Sequence, residues 1–252
     1  MTTRLFHISD VHFGVEDHAA LNAVARAVAE ERPDAVVCTG DLTQRAKHSE
    51  YARAAEWFAA LGVPVVLEPG NHDMPYYNPW ERFTDPFRRY NRLRSAVPGS
   101  FTSAGVVLVP LLTTVRAQTR FPWSDGVIKP AALADTLAQL AALKGDPRTI
   151  IVTAHHPLLG PHDDGHNPTI GGDAAFAALV AAGAHAIMSG HVHVPFDEVR
   201  TRGGHAARMI GAGTLSTRLR HGAPASWRVI ICEPGGVIES ELRLVTASAP
   251  VT

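Results

Sequence analysis

From Arg4 to Gly70 the chain alternates short apolar runs with helical patterns, and this alternation restricts its fold more than any other feature. "RLFHIS" reads as a strand. "EDHAALNAVARAVAEERP" places Leu21, Val24, Ala25 and Val28 at helical spacing, and Pro33 stops the pattern. "DAVVCTG" reads as a buried strand, and "HSEYARAAEWFAALG" as a helix with Ser49 as N-cap and Gly62 as C-cap. "VPVVLEPG" is the next strand. The order βαβαβ calls for a parallel sheet with right-handed crossovers.

Residues 74–98 break the pattern: aromatics, arginines and prolines predict broken helical turns, an excursion over the core rather than a separate domain. Strand character resumes in "SAGVVLVPLLTT", followed by the amphipathic helix "PAALADTLAQLAALKG", the strand "RTIIVTA", the helix "GDAAFAALVAAG" and the strand "AHAIMSG". The tail, residues 205–246, reads as antiparallel strands that close the fold, with Pro234-Gly235-Gly236 turning the last hairpin. No repeat or linker interrupts residues 1–252, so one domain is expected.

The polar residues that follow the strands share one chemistry. Asp10 and His12 follow the first strand, and Asp41 the second. Asn71, His72 and Asp73 follow the third. His155 and His156 come after "TIIVTA", and His191 and His193 after "AIMSG". The carboxyl ends of parallel strands face one crevice, where ligands bind, so these residues are expected to converge. Asp10-x-His12 and His191-x-His193 are i, i+2 pairs, which extended backbone points to one side. Gly40, Gly70 and Gly190 directly precede candidate ligands and permit sharp turns and close approach.

Carboxylates, imidazoles and one amide, without a thiolate, suit divalent ions such as Mn, Fe, Zn, Co or Ni better than a thiolate-bound structural zinc. The set is too large for one four-coordinate ion and fits two ions roughly 3.5–4 Å apart that share a carboxylate. Asp41, the one carboxylate at its strand end, is the natural bridge.

Composition narrows the partners. A net charge of −1 provides no global field for nucleic acid or anionic membranes. No apolar stretch is long enough to span a bilayer. The N-terminus carries no apolar signal region, and Cys38 and Cys232 sit in apolar runs as buried free thiols, so a cytoplasmic protein is expected.

The blocks "SDVHFG", "TGDLTQRA", "PGNHD", "AHHP" and "SGHVH" resemble those of the calcineurin-like metallophosphoesterase superfamily, in particular its bacterial branch near class III cyclic-nucleotide phosphodiesterases. The resemblance implies a four-layer α/β/β/α sandwich with a dinuclear centre between the layers. It implies that Asp10, His12 and His193 bind one metal with the bridging Asp41, and that Asn71, His155 and His191 bind the second. His72 would stand beside the metals as the acid, oriented by Asp73. The phosphoprotein phosphatases have Asp-Arg where this chain has Gln44-Arg45, which argues against a protein phosphatase.

The expected activity is hydrolysis of a small-molecule phosphodiester, a cyclic nucleotide or glycerophosphodiester, by ion-activated water, with His72 protonating the leaving oxygen. Arg45, His156, Arg116 and Trp123 are candidate substrate contacts. The segment holding His162, Asp163, Asp164 and His166 is a candidate lid, and the 74–98 excursion offers either a cleft wall or a contact between copies in a homo-oligomer. A phosphomonoesterase is the alternative, with the same metals and a different mouth. A DNA nuclease would want a stronger basic field, and a non-catalytic scaffold would be expected to have lost ligands that this chain keeps.

Overall fold

A computed structural model describes residues 2–99, 101–161 and 169–245. The apolar runs become the strands β1 (Thr3–Ile8), β2 (Ala35–Cys38), β3 (Val65–Leu67), β4 (Val106–Pro110), β5 (Gly126–Val127), β6 (Thr149–Thr153), β7 (Thr169–Ile170), β8 (Ala186–Ser189), β9 (Phe196–Arg202), β10 (His205–Gly211), β11 (Ser226–Glu233) and β12 (Val237–Leu244). The helices are α1 (His18–Glu31), α2 (His48–Ala60), α3 (Pro79–Thr84), α4 (Arg88–Ala96), α5 (Pro130–Ala142) and α6 (Gly172–Ala181).

Two five-stranded sheets result, ordered β12-β11-β1-β2-β3 and β4-β6-β8-β10-β9. The pairs β1–β2 and β2–β3 are parallel, as the βαβαβ order requires. In the second sheet β4, β6, β8 and β10 run parallel, and β9 returns antiparallel. Leu5, Val37, Ile230 and Cys232 from the first sheet pack on Ile151, Ala186, Met188 and Ile210 from the second, which fills the seam between them. The outer face of the first sheet buries Phe6, Val36 and Val229 with Val24 and Val28 of α1 and Phe58 of α2. The outer face of the second buries Val152 and Ile187 against Leu140 of α5 and Phe176 of α6. The chain is therefore mixed α/β, with helices, sheet, sheet and helices in succession. Each buried aliphatic or aromatic side chain of this core stabilises it by about 1.5–3 kcal/mol.

Local chemistry sets the helix ends. Asp17 accepts hydrogen bonds from the amides of Ala19 and Ala20 and starts α1, and Arg32, at φ 48° and followed by Pro33, ends it. Ser49 is not the cap of α2. That helix starts at His48, one residue earlier, and the Glu50 carboxylate accepts from the amides of Lys47 and Arg45. Leu61 caps its far end, and Gly62 follows at φ 67°. The 74–98 excursion holds α3 and α4, and Tyr90 of α4 donates to the carbonyl of Leu67, tying the helix to the end of β3. Cys38 and Cys232 are buried and free. Among the described residues no helix is long and apolar enough to cross a membrane.

The tail follows the antiparallel reading in part: β10 pairs antiparallel with β9 on one side but parallel with β8 on the other. β11 and β12 do run antiparallel, and Gly235 and Gly236 turn between them at φ 83° and 84°. The parallel pairing of β10 with β8 is the part that the reading lacks. The C-terminal end of β10 therefore opens onto the same crevice as the ends of β6 and β8. The candidate lid residues His162, Asp163, Asp164 and His166 lie outside the described residues.

Candidate metal centre

The residues after β1, β2, β3, β6 and β8 meet where the two sheets open. Backbone bonds lock the turns together: the Asp10 amide donates to Gly40 O (3.0 Å), His12 N to Asp41 O (2.9 Å) and Gly190 N to His155 O (2.9 Å). Two further bonds cross the seam between the sheets. The His191 amide donates to Asp10 Oδ2 at 2.8 Å, and His155 Nδ1 lies 2.7 Å from Thr39 O.

The backbone bends in a way that the i, i+2 spacing conceals. Asp10, His12, Asp41, His191 and His193 all have positive φ, between 49° and 70°. The D-x-H and H-x-H pairs thus converge through left-handed turns, not through extended backbone. A non-glycine residue in this region costs on the order of 1 kcal/mol and persists where its surroundings hold it, often at functional sites. The three glycines leave room for this crowding. A Cβ on Gly70 would stand 2.1 Å from Asp41 Oδ1, one on Gly40 2.5 Å from His155 Nδ1, and one on Gly190 1.7 Å from Ser9 Oγ.

Side chains gather in overlapping groups able to hold a cation: Asp10, His12 and His193; His12, Asp41 and His72; Asp10, Asp41 and His155; and His155, His156 and His191. In the first group His193 Nε2 lies 3.2 Å from Asp10 Oδ1 and 3.1 Å from His12 Nε2. Asp10 Oδ1 is buried without a hydrogen-bond partner. Asp41 Oδ2 stands between two groups, 3.6 Å from His12 Nε2 and 3.4 Å from His155 Nε2. Asn71 Oδ1 is 3.2 Å from His155 Nε2. The far ring nitrogens of His155 and His193 are held by the carbonyls of Thr39 and Arg218, at 2.7 and 2.6 Å, so each ring turns its Nε2 inward.

Burial sets the charge states here. It drives His12 down to about 3, and burial with the neighbouring His155 brings His191 to about 3. These rings are neutral, as metal ligation requires. Burial opposes the His155 imidazolium too, but the Asp41 carboxylate outweighs it and raises this histidine to about 9. Burial also works against the Asp41 anion, yet His155 and His72 hold it well below the usual carboxylate range.

His72 stands next to the cluster, its ring edge-on to His12 with centroids 4.8 Å apart. Asp73 does not orient that ring. Its carboxylate accepts from the amides of Leu42 (3.1 Å), Thr43 (2.8 Å) and Gly70 (2.8 Å), clamping the loop after β2 to the end of β3. Burial and the Asp41 charge push Asp73 up to about 7 in spite of those donors. The ring is held by a backbone group instead, with Nδ1 2.7 Å from the Gln44 carbonyl.

The cluster opens into a cavity of about 660 Å³, lined by Gln44, Arg45, Asn71, His72, Tyr76 and Trp123, with Arg116 at its wall. Arg45 donates to the Tyr77 hydroxyl, with its guanidinium over the Tyr76 ring, 5.6 Å from the centroid. Arg116 Nη1 donates to Phe83 O (2.7 Å), and its own carbonyl accepts from Arg82 Nε (2.7 Å), which ties the two rims of the cavity together. Trp123 is 76% exposed at the mouth. His156 is buried, and its ring is tied to the loop that carries Trp123: Nδ1 pairs with Thr113 Oγ1 and Nε2 with Ser124 O, both at 2.8 Å.

The profile of the calcineurin-like phosphoesterases matches residues 3–195, a span that holds every one of these strand ends. The chain belongs to that family. It is a phosphoric ester hydrolase. The chain is 25% identical over 97% of its length to a probable cyclic nucleotide phosphodiesterase of Synechococcus sp., covering 93% of that protein. A glycerophosphodiester phosphodiesterase of Enterobacter lignolyticus is 39% identical over 27% of the chain and 29% of its own length. Among solved structures, a dimetal phosphatase from Danio rerio superposes with a TM-score of 0.64 at 14% identity, over 97% of this chain and 99% of that one. A purple acid phosphatase from yellow lupin gives 0.67 at 12% identity, over 97% and 52%. Both share the phosphoesterase fold.

One polar residue at the centre escapes the strand-end reading. Arg218, on the loop after β10, lies 3.1 Å through Nη1 from His72 Nε2, 3.4 Å from His12 Nε2 and 3.3 Å from Gln44 Oε1. The signal that finds it is the parallel pairing of β10 with β8, which makes "TLSTR" a sixth strand end.

Proposed function

We propose that the chain hydrolyses small-molecule phosphodiesters at a centre of two divalent ions. One ion would be held by Asp10, His12 and His193, the other by Asn71, His155 and His191, with Asp41 shared. The observation that carries this reading is the position of Asp41 Oδ2, within 3.6 Å of His12 Nε2 on one side and 3.4 Å of His155 Nε2 on the other. The donors suit the ions. A buried carboxylate oxygen without a hydrogen-bond partner, facing imidazole nitrogens that themselves face each other, is a donor set that suits a divalent cation.

When bound, two such ions lower the pKa of water and neutralise charge on the phosphoryl oxygens. The protein supplies the geometry around them. The His72 ring is pinned through Nδ1 by the Gln44 carbonyl, and His72 lines the cavity. Its Nε2 is the atom that holds a proton for the leaving oxygen. Tyr76, Phe83 and Trp123 offer flat faces to the second group of a diester, which a monoester lacks. The relatives named as cyclic nucleotide and glycerophosphodiester phosphodiesterases support the same class.

The test is to assay Mn-loaded protein against bis(p-nitrophenyl) phosphate, p-nitrophenyl phosphate, cyclic AMP, 2′,3′-cyclic nucleotides and glycerophosphodiesters. Higher kcat/KM on diesters is expected. A preference for the monoester overturns the choice of diester.

A further inference from the structure

Arg218 is half-buried, and burial makes its charged form harder to keep, lowering its pKa. A desolvated guanidinium ordinarily has a carboxylate opposite it. Among the described residues Arg218 pairs with none at ion-pair distance. Its Nη1 instead faces two imidazole nitrogens, His72 Nε2 at 3.1 Å and His12 Nε2 at 3.4 Å, and the amide oxygen of Gln44 at 3.3 Å. The same loop carries a second cation, Arg220, whose charge bears on both Arg218 and His191.

A guanidinium only donates hydrogen bonds, so in this arrangement both imidazole nitrogens accept. That arrangement conflicts with the proposed centre. An ion on His12 Nε2 would take the lone pair that Arg218 uses, and two positive charges would then stand side by side. An anion between them resolves both difficulties, because it pairs with the ion and with the planar donor fork of arginine at once.

We infer that Arg218 binds a non-bridging oxygen of the substrate phosphoryl group, so that the site contacts that group from the protein side as well as from the metal side. The inference rests on the metal-centre reading above. On binding, the guanidinium exchanges His72 Nε2 for a phosphoryl oxygen, and the freed lone pair of His72 Nε2 takes up a proton from solvent, which it then passes to the leaving oxygen. Gln44 guides both partners, since its carbonyl holds the His72 ring and its side-chain oxygen accepts from Arg218. Arg218 thus does what the sequence expected of Arg45, which is turned into the tyrosine pair.

The backbone and side chain of Arg218 have separable roles, which makes a clean experiment possible. Its carbonyl holds His193 Nδ1 at 2.6 Å, and a side-chain substitution keeps that bond. Full-length wild type, Arg218→Met and Arg218→Lys are titrated by calorimetry, first with Mn alone and then, Mn-loaded, with inorganic phosphate. Arg218→Met is expected to bind Mn as tightly as wild type or more tightly, since a neighbouring cation is gone. Its phosphate affinity is expected to fall roughly tenfold or more, the loss of a charge-assisted bond. Arg218→Lys is expected to recover part of it. Unchanged phosphate affinity in Mn-loaded Arg218→Met overturns the inference and leaves the metal centre standing. A parallel loss of Mn and phosphate binding in both variants also overturns it, and marks Arg218 as structural. Wild-type protein that takes up no Mn overturns the metal centre and this inference together.

Discussion

Asp41 Oδ2 lies 3.4 Å from His155 Nε2, and this contact spans the seam between the two sheets: Asp41 follows β2, His155 follows β6. The same oxygen is 3.6 Å from His12 Nε2, so one atom touches both halves of the cluster. Asp41→Asn keeps the shape and removes the charge. If Asp41 joins two ions, the variant loses both together, with kcat/KM down at least about 100-fold. Elemental analysis of the purified variant checks this. Two retained equivalents with full turnover would rule out the shared role.

Gly70→Ala tests the crowding. The new Cβ would stand 2.1 Å from Asp41 Oδ1, which the His72 amide holds, and 2.2 Å from the backbone nitrogen of Asp41. Something must shift, at a cost of about 1–3 kcal/mol. The expected outcome is a lower urea midpoint together with weakened metal uptake. Gly145→Ala is the control, because nothing lies within 4 Å of its added methyl. Gly145 sits at φ 81°, so a small strain cost is expected there, without any change in metal content.

The strand ends were legible because each couples a buried apolar run to a glycine and a polar side chain within a few residues. "AVVCTGD" shows burial, turn and ligand in seven letters. What escaped depends on partners far away in sequence. Nothing inside "HAARMIG" says that β10 runs parallel to β8; the pairing of Arg208 with Ala186 decides it, and the place of Arg218 depends on the same pairing. The support of His72 escaped for another reason. It comes from the Gln44 carbonyl, and every residue carries a carbonyl, so no side-chain pattern marks it. The spacing of Asp10 and His12 is plain in the sequence, but the left-handed backbone that brings them together, at φ 54° and 49°, leaves no mark in an i, i+2 pair.

His72→Ala separates chemistry from metal binding. The residue meets the cluster through its ring, while its backbone amide donates to Asp41 Oδ1 at 2.8 Å, a bond that alanine keeps. Metal content is therefore expected to match wild type. Turnover of an ester with a poor leaving group is expected to fall by roughly 10²–10⁴, with a much smaller loss on a p-nitrophenyl ester, whose leaving group needs little protonation. Equal losses on both would remove His72 from the acid role.

Glu68 gives a pH dependence away from the proposed ligands. It sits at the end of β3, 6% exposed, with Oε1 accepting from Thr153 Oγ1 at 2.5 Å, so it links the two sheets just before Asn71 and His155. Burial raises its pKa from 4.5 to about 7, against the opposing pull of that bond and of Arg94. A raised carboxyl binds its proton more tightly in the folded chain than in the unfolded one. Stability from this group is therefore full below about pH 4.5, falls as pH rises towards 7 and is level above that. Glu68→Gln keeps a neutral acceptor for Thr153 and removes the titration. Urea unfolding of both proteins should show nearly equal stability at about pH 5, and at about pH 8 the variant should be the more stable by up to about 3 kcal/mol. The difference between the two curves isolates Glu68, because the other titrating groups are common to both. A difference that does not change with pH would mean that Glu68 titrates alike in the folded and unfolded chains, and burial would not be what governs it.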